Sequence, residues 1–177
     1  MFAPATPRAL AVGRPSSHPK IGDSLSTAEQ ATAANQRART ALRAMMTARW
    51  IDAVEEELVQ RGEAFFQLGG AGHEASAVLA DHLGPQDWLQ PHYRSRALLI
   101  ARGFTPDRFF HGLLSTAESD SAGRQMPAFL HHPELHVMPM TVPTGDGLLH
   151  AVGVAREVAH EGVRVNAVRP EIGRAHV

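Results

Sequence analysis

The residues best suited to chemistry fall in two short stretches. Gly69-Gly70-Ala71-Gly72-His73-Glu74-Ala75 is followed, about one helix later, by Pro91-His92-Tyr93-Arg94. A glycine turn opens a helix, and an aromatic–arginine pair then falls where a helix-packed loop can present it to a ligand. Arg94 offers a planar fork of donors that matches phosphate oxygens, and Tyr93 adds a stacking face and a hydroxyl. The pairing points to recognition of a phosphorylated organic cofactor. On spacing alone, a tyrosine packed on the core and a solvated arginine fit the same two positions. His73 suits either a capping role at the helix start or a place in a cofactor channel.

Two later loops share this character. Ser121-Ala122-Gly123-Arg124-Gln125-Met126-Pro127 combines a glycine with an arginine and an amide. Val142-Pro143-Thr144-Gly145-Asp146-Gly147 leads into the small-residue helix Ala151-Val152-Gly153-Val154-Ala155. Small residues permit close backbone approach, and a helix N-terminus can receive an anion. Within that loop Gly145-Asp146-Gly147 reads as turn chemistry rather than a metal site. His131, His132 and His136 read as a solvent-exposed loop cluster, because Pro133 prevents a helical display of ligands. Phe65, Phe66, Phe109, Phe110 and Met126 read as core.

Helices must position these loops. Residues 1–24, with Pro4, Pro7, Pro15 and Pro19, read as a flexible N-terminal arm. Ser26 or Thr27 can cap a helix with Glu29 in its first turn, and no proline or glycine intervenes before Gly62. Leu42, Met45, Met46, Ile51, Val54, Leu58 and Val59 recur there at mostly helical spacing, so one long helix or two abutting ones fit. Further helices are expected over 74–83, over 95–102 with Gly103 as its stop, over 107–114 behind Pro106, and over 148–160. Residues 115–147 read as loop, and 163–168 alternate as a strand does.

Composition narrows the class. The length of 177 residues suits one domain with a sizeable core. A formal net charge of −1 gives no basic surplus for nucleic acid. The absence of cysteine excludes disulfides, thiolate zinc sites and cysteine nucleophiles. No apolar run approaches the roughly 20 residues needed to span a membrane. No secretory signal is visible either, so a cytoplasmic location is expected.

Taken in order, Gly72-His73-Glu74-Ala75, Pro91-His92-Tyr93-Arg94, Gly123-Arg124-Gln125-Met126-Pro127 and Ala151-Val152-Gly153-Val154-Ala155 resemble the alpha chain of thiamine-diphosphate-dependent 2-oxo acid dehydrogenases. The branched-chain and fused alpha–beta types are most similar, since their loop also reads Gly-Arg-Gln-Met-Pro. The resemblance implies an α/β fold: a partial thiamine-diphosphate-binding fold, helix-rich, with an incomplete parallel sheet, over residues 25–155. It implies that Tyr93 and Arg94 contact the diphosphate of the cofactor. It also implies that Val142 and Thr144 lie near the aminopyrimidine, with His73 as the catalytic candidate. Expected partners are a beta chain, in a heterotetramer, that supplies the activating glutamate, and the acyltransferase core of the complex. Oxidative decarboxylation of a 2-oxo acid is the expected activity.

This sequence also departs from the family. Asp146-Gly147 replaces the usual pair, and Phe129 stands in the region where a histidine follows the Met-Pro step, unless His131 or His132 takes that place. The family's magnesium–diphosphate motif, a glycine-aspartate-glycine beyond the Ala-Val-Gly helix, lies outside these 177 residues, so the polypeptide alone is expected to be inactive.

Residues 156–177 read as an unrelated or artefactual tail. Arg156 to Pro170 resembles the helix-to-strand passage of a short-chain dehydrogenase/reductase. That family's Tyr-x-x-x-Lys pair and glycine-rich nucleotide loop are absent, and Tyr93 is the single tyrosine. Ile172-Gly173-Arg174-Ala175-His176-Val177 can be encoded by the start of a common sequencing adapter. An NAD(P)-dependent reductase fragment and a non-catalytic helical interaction protein are the alternatives.

Overall fold

A computed structural model describes residues 26–157. The expected N-terminal arm, the end of the last helix and the strand pattern at 163–168 lie outside the described residues.

The first helix, α1, spans Thr27–Gln60 unbroken. Ser26 begins it through a capping box: its hydroxyl accepts the Glu29 N–H, and the Glu29 carboxylate accepts the Ser26 N–H at 2.8 Å. The buried face of α1 is Ala41, Ala44, Ala48, Ile51, Asp52 and Glu55, a stripe of steps near one helical turn. The alanines meet Ala77 and Ala97 in a small cluster, so their lack of bulk lets neighbouring segments close on α1. Leu42 and Met46, expected on the apolar face, are instead exposed.

Glu74–His82 forms a 3-10 helix where an α-helix was expected. The Ser76 hydroxyl and N–H both donate to the His73 carbonyl, at 2.8 and 3.2 Å. That carbonyl is the acceptor an α-helical turn would give to Ala77, so the local serine contact favours the tighter winding. α2, Arg96–Arg102, stops at Gly103 in the left-handed region (φ 115°). α3, Pro106–Leu113, has its proline in the first turn as expected. α4, Asp146–Glu157, buries none of its residues and begins directly after the Thr144–Gly145 turn.

The main core gathers Ile51 from α1, Leu98 and Leu99 from α2, and Phe109 from α3. Leu89, Phe129, Leu130, Val137 and Met140 join it from the intervening loops. Arg102 ties those loops to α2 by donating to the carbonyls of Gly84, Pro85, Asp87 and Leu135. Phe65 and Met126 contradict the core expectation: Phe65 is 95% exposed and Met126 is also exposed.

The described residues are helix-rich and contain no strand, so the expected parallel sheet is not found among them. What remains is one parallel bridge, Leu89 to Val137, and one antiparallel bridge, His132 to Val137. Pro91, Pro133 and Pro139 flank these paired residues and lack the N–H that would extend a ladder. No helix among the described residues is long and apolar enough to cross a membrane.

Candidate functional site

The glycine turn and the Tyr93–Arg94 pair, far apart along the chain, meet in space. Arg94 Nη1 donates a short hydrogen bond to the Gly69 carbonyl. Gly70 lies against the backbone of Arg94, where an added Cβ would sit 2.9 Å from the Arg94 carbonyl oxygen. The Glu74 carboxylate closes the turn by accepting the Gly72 N–H at 2.9 Å, with Arg49 3.5 Å away.

Tyr93 sits in an aromatic stack. Its ring lies 3.9 Å from His92 and 5.7 Å from Phe129, and the Arg94 guanidinium stands over it at 5.4 Å. The Phe129 contact brings the third motif-bearing loop, just beyond Met126-Pro127, onto the site. Phe129 thus supports the Tyr93 ring by stacking against it. The Tyr93 hydroxyl makes no hydrogen bond to a described residue.

His73 stacks on His92 at 6.1 Å, which places a second basic ring beside Arg94. Burial pushes the His92 pKa down, and the neighbouring charges of His73 and Arg94 push it further in the same direction. His92 Nδ1 also accepts the Arg94 N–H at 3.2 Å, a bond that needs the neutral ring. Below its ordinary value of 6.5 the unfolded chain takes up this proton more readily than the folded one. Stability should therefore fall as pH drops through 6.5 toward the folded value, and His92→Gln should flatten that slope in urea unfolding measured at several pH values. An unchanged slope would show that His92 is not the group responsible.

Val142 and Thr144 are exposed and join no hydrogen bond or ring contact with Tyr93 or Arg94. Their loop nevertheless approaches the same region. Gln90 Nε2 donates to the Pro139 carbonyl at 3.0 Å, and a Cβ on Gly147 would meet the Gln90 side chain at 3.0 Å. The first turn of α4 thus packs three residues upstream of Tyr93.

The histidines of the 131–136 loop are half-buried rather than solvent-exposed. His132 meets Phe104 edge-on at 5.5 Å, and His136 packs on Trp88 while its Nδ1 contacts the Pro85 carbonyl. Among the described residues no group of three His, Cys, Asp or Glu is placed to hold a metal.

Beneath the turn lies a charged cluster that the sequence reading passed over. Arg96, 1% exposed, pairs with Glu55 at 2.6 Å and Asp52 at 3.2 Å, and donates to the Leu68 carbonyl at 2.9 Å. Its guanidinium also stands 5.5 Å over the Phe109 ring. Asp52 accepts the Gly70 N–H at 2.9 and 3.1 Å. Burial raises the Glu55 pKa, opposed by the hydrogen bond and charge of Arg96. The signal was present in α1: Glu55 falls one turn beyond Ile51, in register with Ala44 and Ala48.

Residues 42–168 match the family described as "Dehydrogenase E1 component", and the chain belongs to that family. Among curated proteins it is similar to the 2-oxoisovalerate dehydrogenase subunit alpha of Bacillus subtilis, 31% identical over 124 residues, which is 68% of this chain and 38% of that protein. It is 31% identical over 111 residues to the mitochondrial 2-oxoisovalerate dehydrogenase subunit alpha 1 of Arabidopsis thaliana, covering 62% and 24% of the two chains. The mitochondrial subunit alpha of Caenorhabditis elegans is 26% identical over 136 residues, covering 76% of this chain and 32% of that protein. The chain thus spans less than two fifths of the length of each of these relatives.

Proposed function

We propose that this chain serves thiamine-diphosphate-dependent oxidative decarboxylation of a branched-chain 2-oxo acid, as part of an alpha subunit. Family membership supports the reaction class, and the relatives' names support the substrate class. The observation that carries the site is Arg94, fixed at one guanidinium nitrogen by the Gly69 carbonyl and bordered by His73 and His92. Its remaining donors make no hydrogen bond to a described residue and are chemically suited to an anion.

Thiamine diphosphate, when bound, would supply the carbanion-stabilising chemistry that decarboxylation of a 2-oxo acid needs. The residues of this chain bind and orient. Arg94 and the Tyr93 hydroxyl hold the diphosphate, while Val142 and Thr144 border the aminopyrimidine. His73 lines the channel between. Among the described residues no group of three His, Cys, Asp or Glu side chains is placed to hold magnesium. A beta subunit and an acyltransferase core complete the assembly in this reading.

Titrating the chain with inorganic pyrophosphate by calorimetry tests the site. Saturable, weak binding is expected, and Arg94→Ala should reduce it about tenfold or more, the loss of one charge-assisted contact. Equal binding by both proteins would remove Arg94 from the phosphate site. Tight binding of magnesium and thiamine diphosphate by this chain alone would overturn its assignment as one wall of a larger site.

A further inference from the structure

We propose that Asp52 is a positioning residue for Arg94, acting through the single peptide unit that joins Gly69 to Gly70. This inference rests on the reading of Arg94 as the anion-binding arginine, but its first test does not. The carbonyl of Gly69 and the N–H of Gly70 are opposite ends of one planar amide. Asp52 grips the N–H end with both carboxylate oxygens, at 2.9 and 3.1 Å. Arg94 Nη1 is bonded at the carbonyl end. Because the amide is rigid, fixing the direction of its N–H also fixes the direction of its carbonyl. A charged acceptor at one end further polarises the carbonyl that receives the guanidinium.

The gripping carboxylate is itself immobilised. Asp52 is buried on α1, and its Oδ1 faces Arg96 Nε at 3.2 Å. Arg96 also holds Leu68, the residue just before the turn, through its carbonyl. The turn cannot rock away, because Gly70 lies against the Arg94 carbonyl and the Arg96 side chain. Asp52 therefore touches no ligand itself, yet it determines where the free edge of the Arg94 guanidinium points. A flexible arginine would lose orientation entropy on each binding event, and this arrangement removes most of that loss beforehand.

Asp52→Asn, in the full chain, replaces the charged grip by a neutral one of the same shape. In nitrogen-15 NMR of the ligand-free protein, the Arg94 side-chain N–H resonances should broaden toward free guanidinium rotation, while the Ile51 and Leu99 methyl signals stay in place. Pyrophosphate affinity should fall about tenfold, as expected for loss of one charge-assisted hydrogen bond. An Arg94 guanidinium that remains as fixed as in the wild type would overturn the proposal. Should the wild type fail to bind pyrophosphate while Asp52→Asn still frees Arg94, the positioning role stands and the cofactor reading falls. Arg94→Lys tests the same coupling from the other end and leaves the Asp52 cluster intact. It should shift the Gly70 amide proton toward a weaker hydrogen bond, and an unmoved Gly70 amide would overturn the proposal even if Asp52→Asn does not fold.

Discussion

Arg96→Leu is expected to cost about 3–5 kcal/mol at neutral pH, because it leaves two buried carboxylates without their shared cation. The leucine fills part of the volume, so the loss is electrostatic rather than a cavity. Asp52 keeps the Gly70 N–H as a partner, whereas Glu55 loses both the hydrogen bond and the charge that oppose its desolvation. Glu55 already titrates above its ordinary value of 4.5 in the fold. Its unfolded form therefore gives up the proton first, and stability is lost as pH rises through the folded value. Without Arg96 that folded value moves higher and the loss grows. Urea unfolding of Arg96→Leu should thus show a large deficit at pH near 7 that shrinks on acidification toward 4.5, the ordinary carboxylate value. Adding Glu55→Leu should recover part of the stability at neutral pH, since a paired apolar replacement removes the stranded charge. A deficit that is the same at both pH values would assign the loss to packing instead.

Much of the scaffold could be read from local signals. Ser26 with Glu29, the run from Thr27 without proline or glycine, Gly103 and Pro106 each act within a few residues, so the sequence carried them directly. Arg96 illustrates what local signals miss. Arg94 and Arg96 flank Ser95 at the same helix start, and nothing in their neighbourhood separates a ligand arginine from a buried one. The distinction comes from α1, whose Asp52 and Glu55 lie beneath only Arg96. The buried face of α1 escapes an apolar pattern for a related reason. Large side chains such as Leu42 and Met46 dominate an apolar pattern, whereas close helix packing here selects Ala41, Ala44 and Ala48. The motif-bearing loops were legible as separate pieces. Their convergence, with Phe129 against Tyr93 and Gly147 against Gln90, is a property of the tertiary fold.

Gly70→Ala should disable the site more thoroughly than its single methyl suggests. The backbone conformation does not demand glycine, since φ is not positive there; the demand comes from contact. The new Cβ would lie 2.9 Å from the Arg94 carbonyl oxygen, and 3.2 and 3.3 Å from Arg96 Cδ and Cγ. Neither neighbour can yield, because one is backbone and the other is locked between two carboxylates. The turn itself must move, which breaks the Asp52 bond to the Gly70 N–H and carries the Gly69 carbonyl away from Arg94. Overpacking of this kind costs about 1–3 kcal/mol. Loss of glycine's freedom in the unfolded chain offsets about 0.4–1 kcal/mol of it. The effect on pyrophosphate affinity should match that of Arg94→Ala, because the guanidinium loses its anchor. Gly69→Ala is the matched control. Its nearest contacts are the Gln67 side-chain amide at 3.1 and 3.5 Å and Asp52 Oδ2 at 3.7 Å, side chains rather than backbone and none under 3.0 Å, so stability and affinity should change less than in Gly70→Ala. Equal behaviour of the two variants in calorimetry would mean that the close approach at Gly70 does not hold Arg94 in place.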